Sequence, residues 1–285
     1  MGNGASDIIF ATVRALAPKK ALLLSPCFSG YIHALKSLGT EIIYFPLKAA
    51  ENFSLSAERF SELKKIIKNE KPDMFFLCNP NNPNGILYSR DFITELCDLC
   101  KTLGIFILLD ECFMELTGRS KDYSLCNTFM AWDNLVIVNA LTKTYAVPGL
   151  RLGFGFCASE KLISCIKKQL PEWNVSVPAQ KMGKMLLQDR KKLFKAVKTI
   201  KKERTYLSKC LSTLGFRVFP SDGNFILFYA ENEDKLKEEL LIRQILIRDC
   251  RDYESLGPGY YRIAVKSHRE NRILMKILKK YRDER

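Results

Sequence analysis

The feature that most constrains the fold is an alternation of short apolar runs with amphipathic segments between Ala21 and Cys157. The runs have strand length, and they predict strands at Ala21–Leu24, Glu41–Phe45, Asp73–Cys78, Ile105–Leu109, Leu135–Val138 and Phe154–Cys157. The segments between them predict helices at residues 29–38, 56–69, 89–103 and roughly 122–131. Continuously apolar strands separated by helices indicate an α/β fold with a mostly parallel sheet covered on both faces.

After residue 158 the pattern becomes that of a smaller α+β unit. It predicts helices over Glu160–Gln169, over 179–214 with a break near Asp189, and over 231–242 and 268–281. Short strands are predicted at Arg217–Pro220, Phe225–Tyr229, Ile245–Arg248 and Tyr260–Val265. We therefore expect a large domain at 1–165, an interdomain helical segment at 166–200 and a small C-terminal domain at 201–285.

The net charge of +14 does not by itself indicate a nucleic-acid-binding protein. The densest group of lysines, between Lys191 and Lys202, alternates with apolar residues at helical spacing, which is typical of a solvated helix face. No interleaving of aromatic and basic residues is seen. An anionic substrate or cofactor would be favoured by such a charge, and no nucleic-acid partner is expected.

Composition indicates a cytoplasmic protein without a membrane partner. The sequence has no apolar run of about 18 residues and no secretory signal pattern at its start. Most of the ten cysteines lie inside apolar runs, as small buried side chains do in a reducing compartment. Cys97 and Cys100 form a CxxC without a second pair or a nearby histidine, so we expect no metal site.

The first candidate for chemistry is the stretch from Asn139 to Gly153, which follows an apolar strand run. Lys143 stands beside Thr142 and eight positions before Arg151, which lies in a glycine-containing turn. A lysine just past a strand end could form a Schiff base with an aldehyde cofactor, while Arg151 holds an anionic group of that cofactor. The alternative is an ordinary surface lysine in a loop.

Three other strand ends carry candidate side chains, because ligands of such sheets lie beyond the carboxyl ends of the strands. Phe28 could cover a planar ligand or belong to the core. Asn82, within the turn sequence from Asn79 to Gly85, would offer a neutral donor. Asp110 ends a buried strand, where a carboxylate is costly without a partner, so it is a candidate counter-ion for a buried cation; a helix N-cap is the alternative.

The start of the chain is a candidate phosphate site. Gly4, Ala5 and Ser6 precede an apolar stripe of helical period, so a glycine turn would present free backbone amides at a helix N-terminus. Asn and Ser also cap helices with no ligand present, so this motif alone is weak.

Taken together, these positions resemble the fold-type I pyridoxal-phosphate (PLP) enzymes of the aspartate aminotransferase superfamily. The similarity covers essentially the whole chain. The motifs occur in the family's order: Asn-Gly-Ala-Ser, Asn-Asn-Pro-Asn-Gly, Leu-Leu-Asp-Glu, Leu-Thr-Lys and Gly-Leu-Arg-Leu-Gly.

The resemblance implies pyridoxal 5′-phosphate as cofactor, a shared site in a homodimer, and a role for each candidate. Lys143 would be the Schiff-base lysine, and Asp110 would partner the pyridinium nitrogen. Asn82 would bond the phenolic oxygen and Phe28 would stack on the ring. The phosphate would be held by the turn at Gly4, the amides of Ala5 and Ser6, Thr142 and Arg151. Arg262 would bind the substrate α-carboxylate.

Within the superfamily, the chain looks most like the threonine-phosphate decarboxylases of cobalamin synthesis. Many aminotransferases have a tyrosine three residues after the aspartate, where this chain has Phe113. Histidinol-phosphate aminotransferases are the alternative, and both groups act on phosphorylated substrates.

Members of the superfamily carry several dozen residues before the phosphate-binding turn, whereas this chain has Met1 directly before Gly2 of that turn. From this we expect the core of the large domain to fold, with weakened cofactor binding and poor turnover. A third possibility is therefore a truncated, catalytically impaired PLP-binding protein.

Overall fold

The computed structural model describes residues 1–284. Its larger sheet has six strands in the order β2-β1-β3-β4-β5-β6. The first five are parallel, and β6 pairs antiparallel with β5, which confirms the mostly parallel α/β sheet. The strands are β1 Lys20–Ser25, β2 Glu41–Pro46, β3 Met74–Cys78, β4 Phe106–Asp110, β5 Leu135–Ala140 and β6 Gly153–Cys157.

Helices cover both faces of this sheet. They are α1 Ala5–Leu16, α2 Ser29–Lys36, α3 Ala57–Glu70, α4 Arg90–Thr102, α5 Met114–Thr117, α6 Ser120–Tyr123, α7 Leu141–Thr144 and α8 Glu160–Lys167. In β3, Phe75 and Leu77 face the core on the α3 and α4 side, while Met74 and Phe76 face the core on the α1 and α2 side. Both faces are buried, which explains why the strands are continuously apolar.

The helix predicted over 122–131 is wrong. The structure has α6 at Ser120–Tyr123 and, later, a single 3₁₀ turn at Phe129–Ala131. Between them the Ser124 hydroxyl and the Leu125 amide both donate to the buried Glu111 carboxylate. Satisfying a buried carboxylate outweighs local helical propensity, so the helix ends there.

The second sheet is antiparallel and has the order β7-β8-β10-β9. Its strands are β7 Arg217–Val218, β8 Phe225–Tyr229, β9 Arg248–Asp249 and β10 Tyr260–Ala264. The remaining helices are α9 Val177–Gln188, α10 Arg190–Thr213, α11 Leu236–Ile242 and α12 His268–Asp283.

The predicted break at Asp189 is confirmed: this residue ends α9 and caps α10, accepting from the Lys192 amide at 3.2 Å. The strand predicted at Ile245–Arg248 begins later, at Arg248.

One core crosses from the larger sheet to the smaller one. Phe219, Leu227 and Tyr253 of the second unit belong to the same buried cluster as the α3 and α4 side of the first. The ring centroids of Phe53 and Phe219 are 4.9 Å apart. The proposed domain limits at 165 and 200 remain predictions. Within residues 1–284, no helix combines the length and the apolar content that a membrane span requires.

Candidate active site

The carboxyl ends of the parallel strands bring three of the predicted residues to one edge of the sheet. Asp110 ends β4 and lies in register with Val138 of β5. Lys143 is on α7, directly after β5, and Asn82 is in the loop after β3. The parallel topology therefore gathers side chains that are far apart in the sequence.

Asp110 is a buried carboxylate without an ion pair. Its side chain accepts hydrogen bonds from the Tyr31 hydroxyl at 2.6 Å and from the Cys112 amide at 2.9 Å. Asp110 is 5% exposed, and its carboxylate forms no salt bridge within residues 1–284. It does not cap a helix, since α5 begins after Phe113. A buried carboxyl group of this kind suits a cationic ligand.

Lys143 forms no ion pair with Asp110 within residues 1–284. Its amine is 5.6 Å from the centroid of the Phe113 ring, and it is exposed, whereas its neighbour Thr142 is buried. Burial raises the pKa of the Cys112 thiol well above its ordinary value; the Asp110 charge raises it further and the Lys143 charge lowers it. Both groups are thus within electrostatic reach of one thiol.

The start of α1 lies against the turn before β6, which carries Arg151. Gly4 has φ 85°, and a Cβ there would lie 2.5 Å from Nη2 of Arg151. Gly2 and Gly153 exchange backbone hydrogen bonds of 3.0 and 2.9 Å, which fixes this contact. In the described part of the chain the amides of Ala5 and Ser6 have no acceptor. Free amides at a helix N-terminus beside a guanidinium suit a phosphate.

Arg262 connects the smaller sheet to the loop after β3. Its guanidinium donates to Oδ1 of Asn82 and lies 5.1 Å from the centroid of the Phe225 ring. Because Oδ1 is already an acceptor for Arg262, the amide nitrogen is the part of Asn82 suited to a ligand oxygen.

Phe28 is half-buried at the start of α2 and makes an edge contact with Tyr31, with ring centroids 5.4 Å apart. A Cβ at Gly30 would meet the Phe28 ring at 2.3 Å, so glycine allows this ring position. Phe28 and Asp110 therefore contact the same tyrosine. Sequence reasoning missed Tyr31, although its spacing of three residues from Phe28 on a helix could have indicated a shared face.

A cavity of about 700 Å³ opens between Lys143 and the smaller sheet. Its lining includes Phe113, Phe225, Arg248 and Arg262. The sequence did not indicate Arg248 as a site residue. It predicted Arg248 at the end of a strand, but it does not show that this strand pairs with the one carrying Arg262. Asp110 and Arg151 do not line this cavity, so it lies on the small-sheet side of Lys143.

A family model of the class I and II aminotransferases matches residues 1–278. The chain belongs to this family. This family belongs to the fold-type I PLP-dependent superfamily. The match therefore confirms the resemblance seen in the motifs.

Individual relatives of this aminotransferase-family chain carry two kinds of name. A threonine-phosphate decarboxylase of Salmonella typhimurium is 32% identical, over 98% of this chain and 75% of its own. A putative threonine-phosphate decarboxylase of Caldanaerobacter subterraneus subsp. tengcongensis is 34% identical with the same coverage. The crystal structure of a histidinol-phosphate aminotransferase from Clostridium acetobutylicum superposes with a TM-score of 0.91 at 29% identity, over 100% of this chain and 83% of its own.

Proposed function

We propose that this chain is a PLP-dependent lyase that removes CO₂ from L-threonine O-3-phosphate, giving (R)-1-amino-2-propanol O-2-phosphate for cobalamin synthesis. The observation that carries the proposal is a pair of arginines beside Lys143. Arg248 and Arg262 are directly opposite each other on β9 and β10, and both line the cavity.

Two guanidinium groups facing each other across a strand pair repel, and neither forms an ion pair within residues 1–284. Like charges directly opposite in a sheet are destabilising. Asp249, which also lines the cavity, is bonded to Arg251 at 2.6 Å instead. A ligand with two anionic groups would offset this repulsion.

Threonine phosphate carries both a carboxylate and a phosphate, whereas histidinol phosphate carries only the phosphate. A cavity with two unneutralised arginines therefore suits the amino acid better than the amino alcohol. Two relatives with decarboxylase names support the same reading. The alternative, a PLP aminotransferase acting on histidinol phosphate, is supported by the structural match to an enzyme of that name.

The side chains present fit PLP in their chemistry. The amides of Ala5 and Ser6, together with Arg151, suit its phosphate, and the unpaired Asp110 carboxylate suits a protonated pyridine nitrogen. When bound, PLP supplies an electron sink that stabilises negative charge at the substrate Cα.

The chain's own residues would supply the proton donor and the groups that bind and orient the substrate. Lys143 would hold the cofactor and, once exchanged for substrate, would be the amine that donates a proton to Cα in place of the lost CO₂. Arg262 and Arg248 bind the two anionic groups and so orient the carboxylate for loss. Asn82 positions Arg262 through their hydrogen bond.

Incubation of the chain with PLP and threonine phosphate tests the proposal. We expect CO₂ release without consumption of 2-oxoglutarate, and no reaction of unphosphorylated threonine under the same conditions. Consumption of 2-oxoglutarate with histidinol phosphate and no CO₂ release would support the aminotransferase. Bound PLP with neither reaction would support a catalytically impaired PLP-binding protein.

We also propose that the chain works as a cytoplasmic homodimer. Several large apolar side chains from the loop after α8 to the first turns of α10 are exposed, including Trp173, Met185 and Phe194. Sedimentation equilibrium is expected to give twice the chain mass of 32.7 kDa. A monomer mass at micromolar concentration would contradict this.

A further inference from the structure

The buried Asp110 carboxylate depends on a small number of hydrogen bonds. With no salt bridge inside residues 1–284, its charge is stabilised by the Tyr31 hydroxyl at 2.6 Å and the Cys112 amide at 2.9 Å. The amide is part of the backbone and follows from the turn after β4. The tyrosine comes from a different element, α2, and is the only side-chain oxygen donor recorded for Asp110 in the described residues.

Tyr31 is buried and packed between aromatic rings in a position to make this bond. It is 1% exposed, its ring makes an edge contact with Phe28, and its centroid lies 5.3 Å from that of Phe76 on β3. Burial, followed by the Asp110 charge, raises the pKa of the Tyr31 hydroxyl well above its ordinary value. The hydroxyl therefore keeps its proton and remains a donor.

The Asp110 carboxylate also interacts with two thiols, those of Cys78 and Cys112. The Cys78 thiol lies beside the Tyr31 hydroxyl, and its pKa is raised well above the ordinary value by burial and then by Asp110. A neutral thiol is a weak donor, so it contributes little to a carboxylate. A hydrogen bond from a buried phenol to a carboxylate is charge-assisted and short, and it stabilises the ionised form.

We propose that Tyr31 is the positioning residue that holds the Asp110 carboxylate in place and oriented toward the cofactor's ring nitrogen. It does not touch the substrate; it acts through Asp110. The proposal rests on the PLP assignment above and adds a residue to it. Loss of the Tyr31 hydroxyl should weaken the contribution of the ring nitrogen to binding and leave the phosphate contacts unchanged.

The test compares the affinity of the full apo chain for PLP and for 1-deazapyridoxal 5′-phosphate, in which a carbon replaces the ring nitrogen. Both ligands have the phosphate and the aldehyde, so general damage to the site weakens both equally. The wild type is expected to prefer PLP. Tyr31→Phe is expected to reduce that preference by about tenfold, the size of one hydrogen bond to a charged group.

Tyr88→Phe is the matched control. Tyr88 is also a buried tyrosine, but its hydroxyl has no hydrogen-bond partner in residues 1–284. Its removal should leave the preference for PLP unchanged. Tyr31→His, whose ring N–H can donate, should restore part of the preference. If Tyr31→Phe does not fold, Tyr31→Met replaces it, because methionine fills irregular space without a donor.

Equal loss of affinity for both ligands in Tyr31→Phe, or no loss at all, would overturn the positioning role while leaving the PLP assignment intact. Equal affinity of the wild type for both ligands would remove the role of Asp110 at the ring nitrogen, and with it that of Tyr31. Failure of the wild type to bind either ligand would overturn the proposed function itself. A reduced preference in Tyr31→Phe with none in Tyr88→Phe supports the inference.

Discussion

Lys143 lies on a one-turn helix directly after β5, with its amine near the Phe113 ring and facing the cavity. A lysine in this place is exposed, and its charge and that of Asp110 have opposite effects on the pKa of the Cys112 thiol. Its assignment as the cofactor lysine remains a prediction, and it can be tested without measuring turnover.

Borohydride reduction of the chain with bound PLP is expected to attach PLP covalently to the Lys143 peptide. Lys143→Ala should abolish this attachment, because only an amine in reach of the aldehyde reacts. Lys161→Ala, an exposed lysine on α8, is the control and should retain it. Peptide mass spectrometry measures both. Attachment at other lysines in Lys143→Ala would contradict the assignment.

Arg248→Gln is expected to separate stability from function. Removal of one guanidinium relieves the repulsion across β9 and β10, so the free energy of unfolding should rise by roughly 0.3–1 kcal/mol. The same change should lower kcat/KM for threonine phosphate by at least about tenfold, because a charge-assisted bond to the substrate is lost. Thermal unfolding and steady-state kinetics measure the two effects.

Arg251→Gln is the control for the stability effect of Arg248→Gln, because Arg251 has a carboxylate partner and Arg248 has none within residues 1–284. It removes the 2.6 Å bond to Asp249 and should lower the free energy of unfolding, or leave it unchanged. If Arg248→Gln also destabilises the chain, the two opposing arginines are not in conflict, and the argument for an anionic ligand fails.

At the scale of elements, the site depends on where α1 begins. Gly153 of β6 lies so close to this turn that a Cβ there would be 2.3 Å from the Gly4 carbonyl carbon. Two glycines thus allow a strand, a helix start and the Arg151 side chain to meet. The first amides of α1 point out of the helix N-terminus, and no side chain caps them in the described residues.

Gly4→Ala should therefore weaken both stability and PLP binding. Its φ of 85° alone costs a residue with a Cβ about 1–2 kcal/mol, and the contact with Arg151 adds to this. Gly39→Ala is the matched control: its φ is 69°, and no atom lies within 4 Å of the added Cβ. Calorimetry and PLP titration should show a larger loss at Gly4. Equal effects would show that Arg151 does not constrain this turn.

The other element with a strong local signal is α12, which begins with a capping box formed by Ser267 and Glu270. Hydrogen bonds from Lys266 and then Ser267 lower the pKa of Glu270 to about 2. A carboxyl whose pKa is depressed in the folded state stabilises the fold above its unfolded value of 4.5, and this stabilisation is lost as the pH falls toward about 2.

Glu270→Gln keeps a cap acceptor and removes only the charge. We expect it to be less stable than the wild type at neutral pH, and the difference to shrink as the pH falls from above 4.5 toward about 2. Urea unfolding at a series of pH values measures this. A difference that stays constant with pH would show that the charge of Glu270 contributes nothing.

At the scale of the whole molecule, the two sheets share a core. Phe219 is 1% exposed and packs against Phe53 from the larger unit and Tyr260 from the smaller one. Arg262 and Asn82 make a polar link across the same junction. The cavity is lined from both sides, so its shape depends on how the two units pack.

Phe219→Ala is expected to lower the free energy of unfolding by about 3–5 kcal/mol and to increase hydrogen exchange in both the larger and the smaller unit. Phe216→Ala is the control, since Phe216 belongs to the core formed by α10, α12 and the smaller sheet. Hydrogen exchange should rise around Phe53 in the first variant and not in the second. Exchange confined to the smaller unit in Phe219→Ala would contradict a shared core.

The sequence by itself determined the order of strands and helices, the mostly parallel sheet and the residue types at the strand ends. These features depend on hydrophobic periodicity and turn residues within short segments, so they can be predicted from the sequence of each segment alone. The break at Asp189 is one example, because a single capping side chain decides it.

Only the tertiary structure decided which side chains meet. Tyr31 and Asp110 are 79 residues apart, and Arg248 faces Arg262 only because β9 and β10 pair in one register. The helix predicted over 122–131 does not form, because the Ser124 hydroxyl and the Leu125 amide donate to the Glu111 carboxylate, which comes from the turn after β4. Such contacts depend on strand pairing and burial across the whole chain, and no local pattern encodes them.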